Sequence, residues 1–303
     1  MFSPTQKIVA WISSLRLSTR FWFDIVPPTV MVLLLSDHDG TNPLKTWEFA
    51  LILVAVVSFH VGQTMFNDIS DVDVDRRSVE PGRNQRPLVV GKLTRGELTL
   101  SGCLMIGISV ASALILPWPS AALLLLALPL GLAYNFKPFH LAGRPVLAQL
   151  FWPAIWALIF FLCISAMRAV SWAPALPYLI FIILFMGLGE GLTQDIRDAD
   201  NDAAGGRRTT VVTFGVPRCA IAAWLFQALS IIPLLALAFT RPTAATAVAA
   251  SVVSVICWLA VFARLTSRLG KRYDKREGRI THVGSIITFT LINMFLLMGF
   301  AIR

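Results

Sequence analysis

Ten of the 17 acidic residues of this 303-residue chain lie in two short windows. One reads Asn67-Asp68-Ile69-Ser70-Asp71-Val72-Asp73-Val74-Asp75, with Glu80 behind it. The other reads Gln194-Asp195-Ile196-Arg197-Asp198-Ala199-Asp200-Asn201-Asp202, with Glu190 ahead of it. Laying Asp68 on Asp195 brings all four aspartates and both isoleucines into register. On a helix, Asp68, Asp71 and Asp75 share one face, as do Asp195, Asp198 and Asp202, whereas Asp73 and Asp200 point away. Asn67 joins the first face one turn before Asp71. Carboxylates crowded on one helix face repel each other. Two such faces brought together repel more, unless cations sit between them. Hard oxygen ligands select Mg²⁺ or Ca²⁺, and Mg²⁺ combines a few carboxylates with water and phosphate oxygens.

The neighbouring cations fit a phosphate. Arg83, Arg86, Lys92 and Arg95 follow the first window, Arg207 and Arg208 follow the second, and Lys137 and Arg144 lie between. Arginine forks match phosphate oxygens. Each cation taken alone is equally explained by membrane topology; Arg86 and Lys137 lead as ligands.

The elements that must position these groups are membrane helices. The chain is 56% hydrophobic and 14% charged, with a mean hydropathy of +0.71, against roughly 25% charged in a soluble domain. This excludes a soluble domain, a disordered chain and a coiled coil. Hydropathy gives about nine spans, at 21–37, 47–67, 97–116, 118–135, 146–167, 174–194, 218–239, 243–265 and 283–302. They form one all-α, polytopic domain over 1–303. The first span is short and carries Pro27-Pro28, which predicts a kink. No signal-peptide cleavage pattern precedes it. Residues 5–19 predict an amphipathic helix on the cytoplasmic membrane surface, within a segment 1–20, with Ile8, Trp11, Ile12 and Leu15 on one side. Cys103, Cys163, Cys219 and Cys257 are scattered through apolar stretches, which argues against zinc and against a disulfide framework.

With nine spans, most of the 26 lysines and arginines share one side with the N-terminus. The positive-inside rule makes that side cytoplasmic and puts the C-terminus opposite. The net charge of +9 therefore reflects topology, not nucleic acid. Both acidic windows sit at cytoplasmic span exits, after the second and sixth spans. Four spans separate them, so the chain predicts two pseudo-repeated four-helix units around a central cavity, with a ninth helix appended.

Other polar groups lie at membrane depth. Asp24 and His60 fall in the first two spans, where charge is functional by default, although an interfacial or packing role also fits. Glu190, about one turn before Asp195, could position or deprotonate an acceptor. Tyr134 could bond a diphosphate or belong to an interfacial aromatic belt.

The stretch Asn67-Asp68-x-x-Asp71-x-x-x-Asp75, followed by Arg86-Pro87-Leu88 and Gly91, resembles the first signature of the UbiA superfamily of intramembrane prenyltransferases. Asp195-x-x-Asp198-x-x-x-Asp202, followed by Gly206-Arg207-Arg208-Thr209, resembles the second. Tyr134 and Lys137 resemble the Tyr and Lys that end that family's fourth helix. The resemblance covers the whole chain. It implies Mg²⁺-dependent transfer of a prenyl group from a polyprenyl diphosphate to an aromatic or lipid acceptor among membrane lipids. It implies Asn67, Asp68, Asp71, Asp75, Asp195, Asp198 and Asp202 as metal sites. Diphosphate contacts are then expected from Asn67, Arg83, Arg86, Lys137 and Arg208, and catalytic roles for Asp71, Asp198, Lys137, Tyr134 and Glu190. Phe66, Trp152, Trp156, Phe160 and Phe185 are candidates for walls that shield a carbocation from water. The longer spacer before Arg86 and the Ala203-Ala204-Gly205-Gly206 run depart from the pattern and leave the acceptor open. A terpene cyclase of the same superfamily is the alternative. A CDP-alcohol phosphotransferase lacks its signature here, and a cation transporter needs ligands nearer the midplane. Arginine over lysine and abundant alanine point to a GC-rich genome and a bacterial plasma membrane.

Overall fold

The computed structural model describes residues 3–16, 21–35, 43–78, 82–169, 171–269 and 275–301. Arg20, Glu80, Lys271, Arg272 and Arg303 fall outside them, as do 17–19 of the N-terminal segment and 36–37 of the first expected span. The described residues form helices and no strand. In chain order these are α1 (Pro4–Leu15), a π-helical turn (Phe21–Ile25) leading into α2 (Val26–Leu35), α3 (Trp47–Arg77), α4 (Arg95–Ile115), α5 (Trp118–Asn135) and α6 (Leu147–Ala166). Then come α7 (Leu176–Ala204), α8 (Thr210–Phe214), α9 (Val216–Thr240), α10 (Ala245–Leu269) and α11 (Lys275–Ala301). Among the described residues eight helices are long and apolar enough to cross a membrane, and a shorter apolar helix spans Trp22–Leu35.

Helix starts follow local chemistry. The Thr46 hydroxyl accepts from the Phe49 backbone N–H at 3.2 Å, and Glu48 sits in the first turn of α3, where the helix dipole favours an acid. At α4, Thr94 and Glu97 form a capping box, with bonds of 2.8 and 3.1 Å. Helix α3 continues past its apolar run to Arg77, which keeps the whole first acidic window helical. The expected disturbance in the first span is the π turn at Phe21–Ile25. A proline ring clashes with the carbonyl four residues back, which places the effect of Pro27 and Pro28 at Phe23 and Asp24.

The helices pack in a closed circuit: α3 lies along α4, α5 on α6, α6 and α9 on α7, and α11 returns to pack on α2 and α7. Fully buried Phe181, Phe185 and Phe289 stack at 5.7–6.2 Å and tie α7 to α11. Helix α7 is π-helical over Ile183–Glu190. There Gly187 lets α6 approach, since a Cβ would stand 2.9 Å from Pro153 Cγ. The outer surface is apolar: Trp118 is 79% and Phe239 86% exposed, a face suited to lipid.

Helix α1 divides its apolar residues. Trp11 Nε1 donates to Ser101 Oγ at 2.9 Å, Lys7 pairs with Glu97 at 2.6 Å, and Leu15 packs beneath. Ile8 and Ile12 remain exposed. Tertiary packing thus draws Trp11 and Leu15 away from the side they share with Ile8 and Ile12 on a helical wheel.

Candidate active site

The C-terminal ends of α3 and α7 lie against each other. Asp68, Asp71 and Asp75 of α3 are buried, as are Asp198 and Asp202 of α7; Asp195 is partly buried. Asp73 and Asp200 are exposed. This is the facing that the 3.6-residue period dictates.

Arginines occupy the space between the two acidic faces, in a crossed pattern. Arg83 Nη2 lies 2.5 Å from Asp198 Oδ2, and its Nη1 lies 3.7 Å from Asp75 Oδ1. Arg207 pairs with Asp71 and lies 3.5 Å from Asp202. Each loop arginine therefore holds the last aspartate of the window before it, Asp75 or Asp202, and the second aspartate of the opposite window, Asp198 or Asp71. Arg86 Nη1 donates to Asp68 at 3.0 Å and to Asp75 at 2.5 Å. Arg16, at the end of α1, also pairs with Asp68. Arg197 forms a two-pronged bond to Asp198 at 2.7 and 2.8 Å.

Local folding explains how these cations arrive. Helix α7 ends in a Schellman turn: Gly206 takes φ +73°, Gly206 N–H donates to Ala203 O at 3.1 Å, and Arg207 N–H donates to Asp202 O at 2.8 Å. The glycine pair 205–206 reverses the chain and turns Arg207 inward, while Arg208 is exposed. Burial works against the Arg207 charge, but Asp71 and Asp202 outweigh it and hold the guanidinium above its ordinary pKa. The loop after α3 is anchored by buried Leu88 and Leu93, which pack with Val61, Met65, Val72 and Leu98. Gly91 at φ +74° closes it, and the Pro87 carbonyl accepts from Lys92 at 2.9 Å. That anchoring fixes Arg86 over Asp68 and Asp75.

The remaining sequence candidates occupy different places. Asn67 is partly buried on the same face of α3. Tyr134 stacks on Phe151 at 4.1 Å and meets Trp152 edge-on at 6.0 Å. Lys137 is exposed just beyond α5. Glu190 is buried at the end of the π-helical segment, 2.9 Å from His282 Nδ1 of α11. Phe160 and Phe185 are fully buried packing residues, and Phe66 meets Phe136 edge-on at 5.8 Å.

Some site residues had no sequence signal pointing inward. Gln149 Nε2 donates to Asp195 Oδ2 at 2.7 Å; Thr210 Oγ1 donates to Gln149 and accepts from Val146 N–H at 2.8 Å. A glutamine and a threonine this far apart in sequence reveal their partnership only through packing. Arg16 and His282 likewise come from segments remote from the aspartates.

The donor set fits a hard divalent cation. It is all oxygen, it comes from two facing helix ends, and Asp75 Oδ1 is buried without a hydrogen-bond partner. Among the described residues no three carboxylate, histidine or cysteine side chains already converge on one point; the guanidinium groups stand between them.

Comparison with known proteins places the chain. Residues 25–276 match the model of the UbiA prenyltransferase family. No curated protein sequence matches. Among solved structures, a UbiA homologue from Archaeoglobus fulgidus bound to GPP and Mg²⁺ superposes with a TM-score of 0.71 at 19% identity, covering 96% of this chain and 98% of that one. The apo UbiA homologue from Aeropyrum pernix K1 gives 0.69 at 21% identity over 91% and 95%. A digeranylgeranylglyceryl phosphate synthase gives 0.65 at 14% identity over 97% and 98%. The chain, with its apolar helices and facing aspartate-rich helix ends, belongs to the UbiA prenyltransferase family and is an integral, multi-pass membrane protein.

Proposed function

We propose that this protein transfers a prenyl group from a polyprenyl diphosphate to an aromatic or lipid acceptor, with Mg²⁺ held by Asp68, Asp71, Asp75, Asp195, Asp198 and Asp202 and by Asn67. The observation that carries the reading is the crossed arrangement of Arg83 and Arg207 between two acidic helix faces. Such a site offers a diphosphate both anionic metal ligands and guanidinium forks.

On binding, Arg83, Arg86 and Arg207 exchange carboxylate partners for phosphate oxygens, and Lys137 approaches from the cytoplasmic side. Bound Mg²⁺ supplies neutralisation of the charge that grows on the leaving diphosphate. The arginines add fixed positive charge at the same place. The electron pair of the allylic C–O bond leaves with the diphosphate, and the acceptor captures the allyl cation. Trp152, Trp156 and Tyr134 wall the space beneath the aspartates and exclude water. Glu190, held by His282, positions the acceptor. The N-terminus and both acidic windows face the cytoplasm, in keeping with the basic loops, and the two four-helix units are pseudo-repeats, in keeping with the crossed arginines.

The test is prenyl transfer by the purified protein, using labelled prenyl diphosphates of several lengths and a panel of phenolic and lipid acceptors. Transfer that needs Mg²⁺ or Mn²⁺ and stops with EDTA is expected. Full turnover in EDTA would remove the metal from the reading. A hydrocarbon or terpene alcohol formed from the diphosphate alone would replace transfer with cyclisation.

A further inference from the structure

His60 is 95% buried in α3, and its Nδ1 lies 2.6 Å from Oδ1 of Asp24, which is itself fully buried. Its Nε2 is buried without a hydrogen-bond partner. The imidazole stands near the indoles of Trp152 and Trp156, with centroids at 5.8 and 6.3 Å, and near Phe59 at 6.1 Å. A buried histidine normally satisfies both nitrogens. Here Nδ1 stands in ion-pair contact with the Asp24 carboxylate without completing an aligned hydrogen bond, and Nε2 is packed among aromatic rings.

The position relates this pair to the aspartates. Counting along α3, His60, Asn67 and Asp71 fall at i, i+7 and i+11, on one face. At 1.5 Å per residue, His60 lies about 10 Å from Asn67 toward the membrane interior. Trp152 continues the wall upward, meeting Tyr134 edge-on. Asp24 reaches the pair from the π turn at Phe21–Ile25, a distortion that recurs at functional sites.

The chemistry of the pair is specific. A carboxylate beside Nδ1 keeps the ring proton on that nitrogen, so Nε2 presents a lone pair. Among apolar aromatic side chains such an acceptor suits a hydroxyl carried on a flat ring. We propose that Asp24 and His60 form the acceptor-hydroxyl site of this enzyme. His60 Nε2 takes the hydroxyl proton, and Asp24 positions the imidazole and stabilises the imidazolium. The inference rests on the prenyl-transfer reading above.

The step balances. The C–O bond of the allylic diphosphate breaks and its electron pair leaves with the diphosphate. A bond forms between the allylic carbon and the acceptor. The acceptor's O–H proton passes to His60 Nε2 and goes to water when product departs. With its hydroxyl on His60, an aromatic acceptor extends its ring toward the aspartates, which places a nucleophilic ring carbon nearer the diphosphate than the hydroxyl itself; attack through that carbon leaves a ring ketone, and the proton on the attacked carbon then passes to the oxygen, which restores the aromatic hydroxyl.

The experiment uses the full-length protein in detergent with 2-naphthol as probe, since naphthol and naphtholate differ in near-ultraviolet absorption. Wild type is expected to bind naphthol with a naphtholate-like spectrum. His60→Gln should weaken binding at least tenfold and abolish the spectral shift. Asp24→Asn lets the ring proton move to Nε2; it should keep most of the binding but lose the shift, which a merely structural role for Asp24 would not produce. Asp24→Glu should restore the shift. Binding of geranyl diphosphate with Mg²⁺ should stay within twofold of wild type in all three, which verifies folding and tests the donor site separately. Identical naphthol spectra in wild type and folded His60→Gln would overturn the proposal. Absence of geranyl diphosphate binding by wild type would instead sink the prenyl-transfer reading.

Discussion

The two acidic windows share their spacing but not their surroundings. In the first, Asp68 is held by two guanidinium groups, from Arg16 and Arg86. Its counterpart Asp195 is held by the neutral amide of Gln149, which Thr210 anchors in turn. Asp71 and Asp75 of the first window and Asp198 and Asp202 of the second behave alike: Arg83 and Arg207 each span from one helix to the other. Helical periodicity therefore sets which carboxylates face inward, and loop geometry sets what they meet. The similar pairs belong to the shared chemistry. The dissimilar first pair is where the surroundings of the two windows part.

The strongest way to break this comparison is to remove the crossed carboxylates. Asp71→Ala and Asp198→Ala are each expected to lower prenyl transfer by more than ~1000-fold, about 4 kcal/mol of activation free energy, while the protein still inserts and purifies. A rate near wild type in either would take that residue out of the site.

Facing can be separated from charge. Asp75→Asn and Asp202→Asn should each lose roughly 100-fold in kcat/KM, or about 3 kcal/mol. Asp73→Asn and Asp200→Asn, which remove the same charge from exposed positions, should stay within about twofold. Equal losses at all four positions would show that the general field of the loops dominates.

Neighbouring arginines sharpen the comparison further. Arg207→Ala should raise the donor KM by about tenfold, as expected for a lost charge-assisted bond of about 1.4 kcal/mol. Arg208→Ala, exposed one residue on, should change it far less. A reversal of that order, read from initial rates against donor concentration, would mean that the turn after α7 rearranges when donor binds.

The smallest effect concerns the turn itself. Gly206→Ala places a Cβ at φ +73° and should destabilise the protein by about 1 kcal/mol, visible as a thermal midpoint lower by a few degrees. An unchanged midpoint would show that the Schellman turn is not under this constraint.

Much of this was legible in residue order. Apolar run lengths marked the long helices, and the i, i+3, i+7 spacing separated buried Asp75 from exposed Asp73. Other features were not. Arg207 and Arg208 are chemically identical in sequence, and only the glycine turn distinguishes them. The π-helical segments of α7 and before α2 leave no periodic signature, because they fall in membrane helices that are apolar around most of their circumference, where no polar face marks the helical phase. Helix α1 offered four apolar residues on one side, yet tertiary packing divides them.

Sequence by itself determined the membrane class, the long helices and the inward faces of the two acidic windows. Each of these depends on local physics: burial of apolar runs in lipid, and a side-chain period of 3.6 residues. Tertiary structure alone decided the crossing of Arg83 and Arg207, the pairing of Gln149 with Asp195, and the meeting of Asp24 with His60. Those contacts join residues far apart in the chain, and their geometry depends on how whole helices pack and how loops reverse, which no local pattern encodes.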